Sequence, residues 1–287
     1  MRPQLLLTGA NGQVGWALRS LLAPLGDVHA QTHANLDLTD IDALRACVRS
    51  IRPQIIINAA AYTAVDRAEQ EEHRARAVNT LAPAVLAEES RQLGAWFVHL
   101  STDYVFDGQK GQPYVEDDIT APLSAYGRSK RDGDDAIVSV GGHHVILRTG
   151  WIFGLHGQNF LRTMQRLGSE RASVSVVDDQ WGSPTWSRLL AQVIALLVAR
   201  RCAGQDCGEG IYHCVATGHT SWYGFAQAIM TACGLPCTVY PIATSQYPTP
   251  AHRPRDSRLC CHRLAADYAL SLPSWSDQLT MCLSQQP

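Results

Sequence analysis

Along the first half of the chain, short all-apolar runs alternate with stretches in which apolar residues recur every three or four positions. Leu5-Leu6-Leu7, stopped by Thr8-Gly9, predicts a short strand buried on both faces. Val14, Leu18, Leu21, Leu22 and Leu25 then fall at helix spacing, and Val28 opens a weak second strand. Ile41, Leu44 and Val48 mark one face of a further helix, and Ile55-Ile56-Ile57, bounded by Pro53 and Asn58, predicts a third strand. A longer helix over about Ala75 to Gln92 leads into a strand from Trp96 to Leu100, a helix from Tyr126 to Val138 and a strand at Val145-Ile146-Leu147. Each crossover helix must cover an apolar sheet face, so the repeated strand-helix unit predicts a largely parallel sheet and the α/β class.

Beyond about residue 150 the alternation loosens. Helices are expected at Phe160 to Leu167, Leu189 to Arg200, Tyr223 to Cys233 and near Ser276 to Leu283, with strands at Val174 to Val177 and Val239 to Ile242. Pro248, Pro250 and Pro254 make the segment from Thr244 to Arg258 a loop or lid. Residues 1–150 are therefore expected to form mainly a nucleotide-binding unit, and 151–287 a smaller substrate-facing region interleaved with it.

Composition narrows the function. With 46% apolar and 17% charged residues, the 287-residue chain is excluded from the collagen, coiled-coil and disordered classes. A net charge of −2 without a basic block gives no footing for nucleic acid, and the first apolar run is too short for a membrane span. The nine cysteines lack zinc spacing and read as reduced thiols, so no metal is expected and the cytoplasm is the default compartment. Only two lysines, Lys110 and Lys130, stand against 22 arginines, which gives weight to a lysine in a chemical context.

Two such contexts stand out. Gly9-Ala10-Asn11-Gly12-Gln13-Val14-Gly15 spaces three glycines between a strand and a helix: Gly9 for a tight turn, Gly12 for close approach of a pyrophosphate, Gly15 for close packing. The helix start supplies free N–H groups for phosphate, so a Rossmann-like dinucleotide site is expected. The second strand ends in His29-Ala30-Gln31-Thr32-His33-Ala34, without the acid that holds an NAD ribose. The reading leans to NADPH and leaves NADH open. Asp37, followed by Leu38, either contacts the adenine or caps the next helix.

The second context is chemical. Ser101-Thr102-Asp103-Tyr104 follows a strand, at the sheet edge where such folds bind ligands. Tyr126 and Lys130 lie one helical turn apart, and a neighbouring ammonium favours the ionised phenol while also reaching a ribose. Alone the pair reads better as a surface helix with an amphipathic tyrosine and a snorkelling lysine. With the glycine loop and Thr102 it supplies a bound nicotinamide, a proton source and a hydrogen-bond donor for ketone reduction.

These motifs, with the stretch from Asn58 to Asp66, Arg148-Thr149-Gly150-Trp151, Asp179-Gln180-Trp181-Gly182-Ser183-Pro184-Thr185 and Arg253-Pro254-Arg255-Asp256-Ser257, cover almost the whole chain. In that order they resemble the dTDP-4-dehydrorhamnose reductases of the extended short-chain dehydrogenase/reductase superfamily. The resemblance implies a catalytic trio of Thr102, Tyr126 and Lys130, and a sugar pocket shaped by Asp103, Tyr104 and Trp151. Ala59, Ala60, Ala61, Thr63 and Asn79 would border the cofactor, and Arg253 would pair with the substrate diphosphate. Trp151 has an alternative as a core aromatic and Arg253 as a surface charge. Some members of the family dimerise through magnesium held by acids. This chain has Trp16-Ala17 and Trp186-Ser187-Arg188 at those places, so a monomer or a dimer without bridging metal is expected. The implied reaction is NADPH-dependent reduction of the C4 ketone of dTDP-4-dehydro-L-rhamnose. Another dTDP-4-keto-6-deoxysugar, or a regulatory-subunit role like that of the methionine adenosyltransferase beta subunit, is the alternative.

Overall fold

The computed structural model describes residues 2–205 and 207–285, so Met1 and Pro287, the ends of the expected division, lie outside it. Six strands form one parallel sheet: β1 (Gln4–Thr8), β2 (Asp27–Gln31), β3 (Ile55–Asn58), β4 (Trp96–Thr102), β5 (His144–Thr149) and β6 (Gly210–His213), in the order β2-β1-β3-β4-β5-β6. The alternation of side chains divides its apolar residues between two cores. Leu5, Leu7, Ile57, Val98 and Leu147 face α1 (Gln13–Leu22) and its neighbour α6 (Ser187–Cys202). Leu6, Ile56, Phe97 and Ile146 face α2 (Ile41–Ile51), α3 (Ala82–Leu93) and α4 (Ala125–Val140). Burial on both faces is why these strands read as unbroken apolar runs.

A third core joins α5 (Phe160–Glu170), α7 (Trp222–Ala232) and α8 (Trp275–Leu283) to a parallel pair of strands, Ser173–Val177 and Thr238–Ile242. The two halves of the sequence are interleaved in space: α6 and β6 come from the second half, yet they pack on and extend the sheet of the first. β6 and the helix His262–Tyr268 lie outside the sequence expectation, because Gly210-Ile211-Tyr212-His213 has too little apolar pattern to read as a strand. The long helix also differs. Glu72–Arg76 passes through a π-helical turn, Ala77–Leu81, before α3 begins. The proline-rich segment after residue 243 is loop apart from one short 3-10 turn, Thr244–Gln246, as expected.

Candidate active-site cleft

A cleft of about 830 Å³ opens at the carboxyl ends of β1, β3 and β4. The chain goes from β1 to β2 on one side and then to β3 on the other, so the cleft sits at the switch in strand order, where open parallel sheets bind ligands. Gly9, Asn11, Gly12, Gln13 and Val14 form one wall. Gly9 has φ +70°, and a Cβ there would come within 2.6 Å of the Ala60 backbone nitrogen. A Cβ on Gly15 would lie 2.1 Å from the Gly9 carbonyl oxygen, so Gly15 serves the loop from behind rather than lining the cleft. The start of α1 has Gly12 as its cap, no side-chain capping bond and no acid in its first turn. Its N–H groups are thereby left to a ligand, and this end fits the pyrophosphate of a dinucleotide.

At the far end, Gln31, Thr32, His33, Asp37, Leu38 and Arg74 close the cleft. The two readings of Asp37 separate here. Asp40 caps α2, accepting from Ala43 N–H at 3.0 Å, while Asp37 Oδ1 accepts from the N–H and hydroxyl of Thr39, both at 2.9 Å. The Thr39 amide, with a smaller contribution from His33 and Arg74, holds the Asp37 carboxyl below its usual range. Arg74 has no signal at the end of β2, where sequence reasoning looked for it. It comes from the segment before the π turn.

Ala59, Ala60, Ala61 and Thr63 line the opposite wall, but Asn79 does not. Asn79 is fully buried behind the wall: its carbonyl accepts from Tyr62 N–H at 2.8 Å, and its amide donates to Tyr62 O and Ser129 Oγ, both at 3.0 Å. It shapes that wall by tying its loop to α4.

Thr102, Asp103, Tyr104, Tyr126, Lys130 and Trp151 meet at the catalytic end. Ser124 caps α4 through Gly127 N–H at 3.1 Å and so fixes the turn that carries Tyr126 and Lys130. Burial, only partly offset by a bond from Thr102, pushes the Tyr126 phenol up to about 12. Burial thus outweighs the lowering expected from a neighbouring ammonium. The lysine, 1% exposed, points its Nζ to Leu100 O at 2.6 Å and to His99 Nε2 at 2.9 Å, and burial pulls it down to about 8 against the opposing pull of Asp134. Asp134 in turn accepts from Ser101 Oγ at 2.8 Å and from Arg148 Nε at 3.2 Å. Asp103, pushed up to about 7 by burial, accepts from Thr102 Oγ1 at 3.1 Å.

Trp151 takes φ +50° and stacks face to face on Trp222, with ring centroids 3.5 Å apart. Gly182 makes room behind it: a Cβ there would lie 2.3 Å from the indole. Trp222 is another cleft residue that sequence reasoning missed, because it reads as one more apolar position at the start of α7. Arg253 is placed differently from its expected role. Its guanidinium grips Asp66 at 2.7 and 3.0 Å and Thr249 Oγ1 at 2.7 Å, outside the cleft lining. Where the family resemblance implies acids, Trp16 stacks on His156 at 4.9 Å and Arg188 bonds to Gln285.

Comparison with known proteins agrees along the full length. The family described as "RmlD substrate binding domain" matches residues 1–286. The chain is 43% identical to a dTDP-4-dehydrorhamnose reductase of Burkholderia thailandensis, covering 98% of both chains, and 41% identical to one of Escherichia coli K12, covering 94% of both. A solved dTDP-4-dehydrorhamnose reductase of Bacillus anthracis, in complex with NADP, superposes with a TM-score of 0.94 at 36% identity over the whole of both chains.

Proposed function

The chain belongs to the dTDP-4-dehydrorhamnose reductase family, and we propose that the cleft described above is where it reduces the C4 ketone of dTDP-4-dehydro-L-rhamnose to give dTDP-L-rhamnose. The enzyme is an NADPH-dependent oxidoreductase with a Rossmann-like sheet. The observation that carries the site assignment is the meeting of Thr102, Tyr126 and Lys130 on one wall, in line with the uncapped start of α1.

Bound NADPH supplies the hydride that adds to C4. Residues 9 and 11–14 would hold its pyrophosphate, residues 59–61 and 63 would flank the nicotinamide half, and Arg74 and His33 would face the 2′-phosphate. Tyr126 gives its phenolic proton to the developing O4 alkoxide. Its raised value keeps it protonated at neutral pH, as a proton donor must be. Thr102 Oγ1 hydrogen-bonds the same oxygen, and Lys130, one turn beyond Tyr126, would engage the ribose. Asp103 orients Thr102 through their 3.1 Å bond. Tyr104 meets Tyr126 edge-on at 6.1 Å, and the stacked Trp151 and Trp222 offer the sugar an apolar face. Arg253, locked to Asp66 beside Tyr104, would have to exchange that carboxylate for a substrate diphosphate oxygen.

We assign residues 1–150 mainly to cofactor binding and 151–287 mainly to the sugar, with α6 and β6 crossing between them. No helix among the described residues is long and apolar enough to cross a membrane. We place the protein in the cytoplasm, a compartment that keeps thiols such as those of Cys214, Cys261 and Cys282 reduced. Any self-association would proceed without metal at Trp16 and Arg188.

The test follows NADPH and NADH absorbance with freshly generated dTDP-4-dehydro-L-rhamnose in EDTA, and identifies the product by NMR. Oxidation yielding dTDP-L-rhamnose is expected. Cofactor binding without oxidation would transfer the site to another keto-sugar or to a regulatory role.

A further inference from the structure

Behind the catalytic wall, one residue from each of three adjacent strands lies at the same level of the sheet. Thr8 of β1 pairs in register with Asn58 of β3, and Asn58 with His99 of β4. Their side chains form a continuous line to α4: Thr8 Oγ1 to Asn58 Oδ1 at 2.6 Å, Asn58 Nδ2 to His99 Nδ1 at 3.0 Å, and His99 Nε2 to Lys130 Nζ at 2.9 Å. None of the four is more than 1% exposed, so every donor must find its acceptor among the line and the backbone beside it.

That requirement fixes the protons. The backbone N–H of Ala60 points at the Asn58 side chain from 3.2 Å, and a backbone amide can only donate, so the atom it meets is the Asn58 oxygen. The Asn58 amide nitrogen therefore faces His99 and donates to Nδ1. Burial alone keeps the imidazole far from protonation, and with Nδ1 accepting from Asn58 its single hydrogen sits on Nε2 and points at the lysine. An N–H directed at an ammonium repels it, whereas an amine accepts the bond with its lone pair and still donates to Leu100 O.

We infer that His99 is the positioning residue for Lys130, holding Nζ against the back wall and favouring its amine form over its ammonium. The inference rests on Lys130 being the cofactor-facing lysine of the proposed site. Other groups also act on Lys130. Asp134, one turn further along α4, favours the ammonium, but is itself held by Ser101 of β4 and Arg148 of β5. On the cleft side stand Tyr126 and Asp103. Asp134 attracts the ammonium and His99 Nε2–H opposes it.

The experiment uses the full-length cofactor-free protein, with ring-15N histidine and 13Cε-lysine, read by NMR. The two lysine signals are assigned with Lys110→Arg and the His99 signal with His99→Phe. The expected result is a bare Nδ1, a protonated Nε2 and a Lys130 midpoint near 8. Asn58→Asp, whose carboxylate can only accept, should move the ring proton to Nδ1 and raise the Lys130 midpoint by about one unit or more. A wild-type ring with its proton on Nδ1, or a Lys130 midpoint at the ordinary 10.5, overturns the inference. The wild-type measurements decide even where a variant fails to fold. They are independent of turnover, so failure here is distinct from failure of the reductase assignment.

Discussion

Gly150 offers a sharp test of how Thr102, the proposed catalytic threonine, is aimed. A Cβ added there would lie 2.5 Å from Cγ and Oδ2 of Asp103, about 0.9 Å short of the 3.4 Å at which ordinary contact begins. The backbone of Gly150 has no positive φ, so alanine is tolerated locally and the strain falls on the carboxylate. Asp103 must swing away by nearly an ångström, and the 3.1 Å bond that orients Thr102 goes with it. Misplacing a positioned group by about 1 Å costs on the order of 100-fold in rate, or about 2.7 kcal/mol in the barrier. Gly150→Ala should therefore lower kcat about 100-fold, while NADPH binding measured by fluorescence titration stays within about 3-fold, because the glycine-loop end is untouched. Asp103→Ala removes the obstructing carboxylate. In that background the further step to Gly150→Ala should cost almost nothing, a coupling that only two residues in contact can produce. If Gly150→Ala turns over at nearly the wild-type rate, or if the two losses simply add, the assignment of Asp103 as the orienting group is wrong.

Tyr126→Phe should leave NADPH affinity intact and lower turnover about 100-fold or more, since only the proton donor is lost; retained turnover would remove that role. Asp103 loses its proton near pH 7, and below that value it can donate to Thr102 Oγ1 and free the threonine hydrogen for the substrate. The kcat–pH profile should accordingly fall as pH rises through about 7, and Asp103→Asn should flatten this step. The stability sign is the same. With the folded value above the ordinary 3.8, wild type should lose melting temperature relative to Asp103→Asn as pH climbs from 3.8 to about 7. Arg74→Met should weaken NADPH binding about 2- to 5-fold, the worth of a half-exposed charge pair, and leave NADH unchanged by calorimetry. Gly9→Ala should abolish cofactor binding and lower the melting temperature, with about 1–2 kcal/mol from the left-handed φ alone and more from the collision with Ala59 and Ala60.

The sheet was legible because burial on both faces leaves its mark in the strands themselves: Leu5-Leu6-Leu7 and Ile55-Ile56-Ile57 can hardly be anything else. β6 escaped because an edge strand with one aliphatic residue is held by its backbone pairing to β5 rather than by its pattern. Within the site, residues linked by local spacing, Gly9 with Asn11 to Val14 and Tyr126 with Lys130, line one cleft. Contacts between distant positions left no signal in the sequence. Asn79 binds Tyr62 and Ser129, and Arg253 is held by Asp66, 187 positions away. The expected lowering of the Tyr126 phenol is outweighed by burial, which helical spacing does not reveal. Helical spacing puts Lys130 on the correct face, but His99 and Leu100, on a different element, decide where its Nζ points.

The π turn at Ala77–Leu81 works as a one-residue shim. An α-helix advances about 100° per residue, so deleting any one residue of that turn would rotate everything before it by roughly that angle relative to α3. Arg74 lies on the upstream side and reaches the adenosine end of the cleft, while Asn79, inside the turn, holds the wall loop to α4. Without the extra residue a regular helix could serve only one of these two directions. Arg74 at one end of the cleft and the shape of its wall nearer Tyr126 thus depend on a single insertion in the phase of one helix, and a deletion of Ala77 or Leu81 would displace both while leaving every side chain named in the site present.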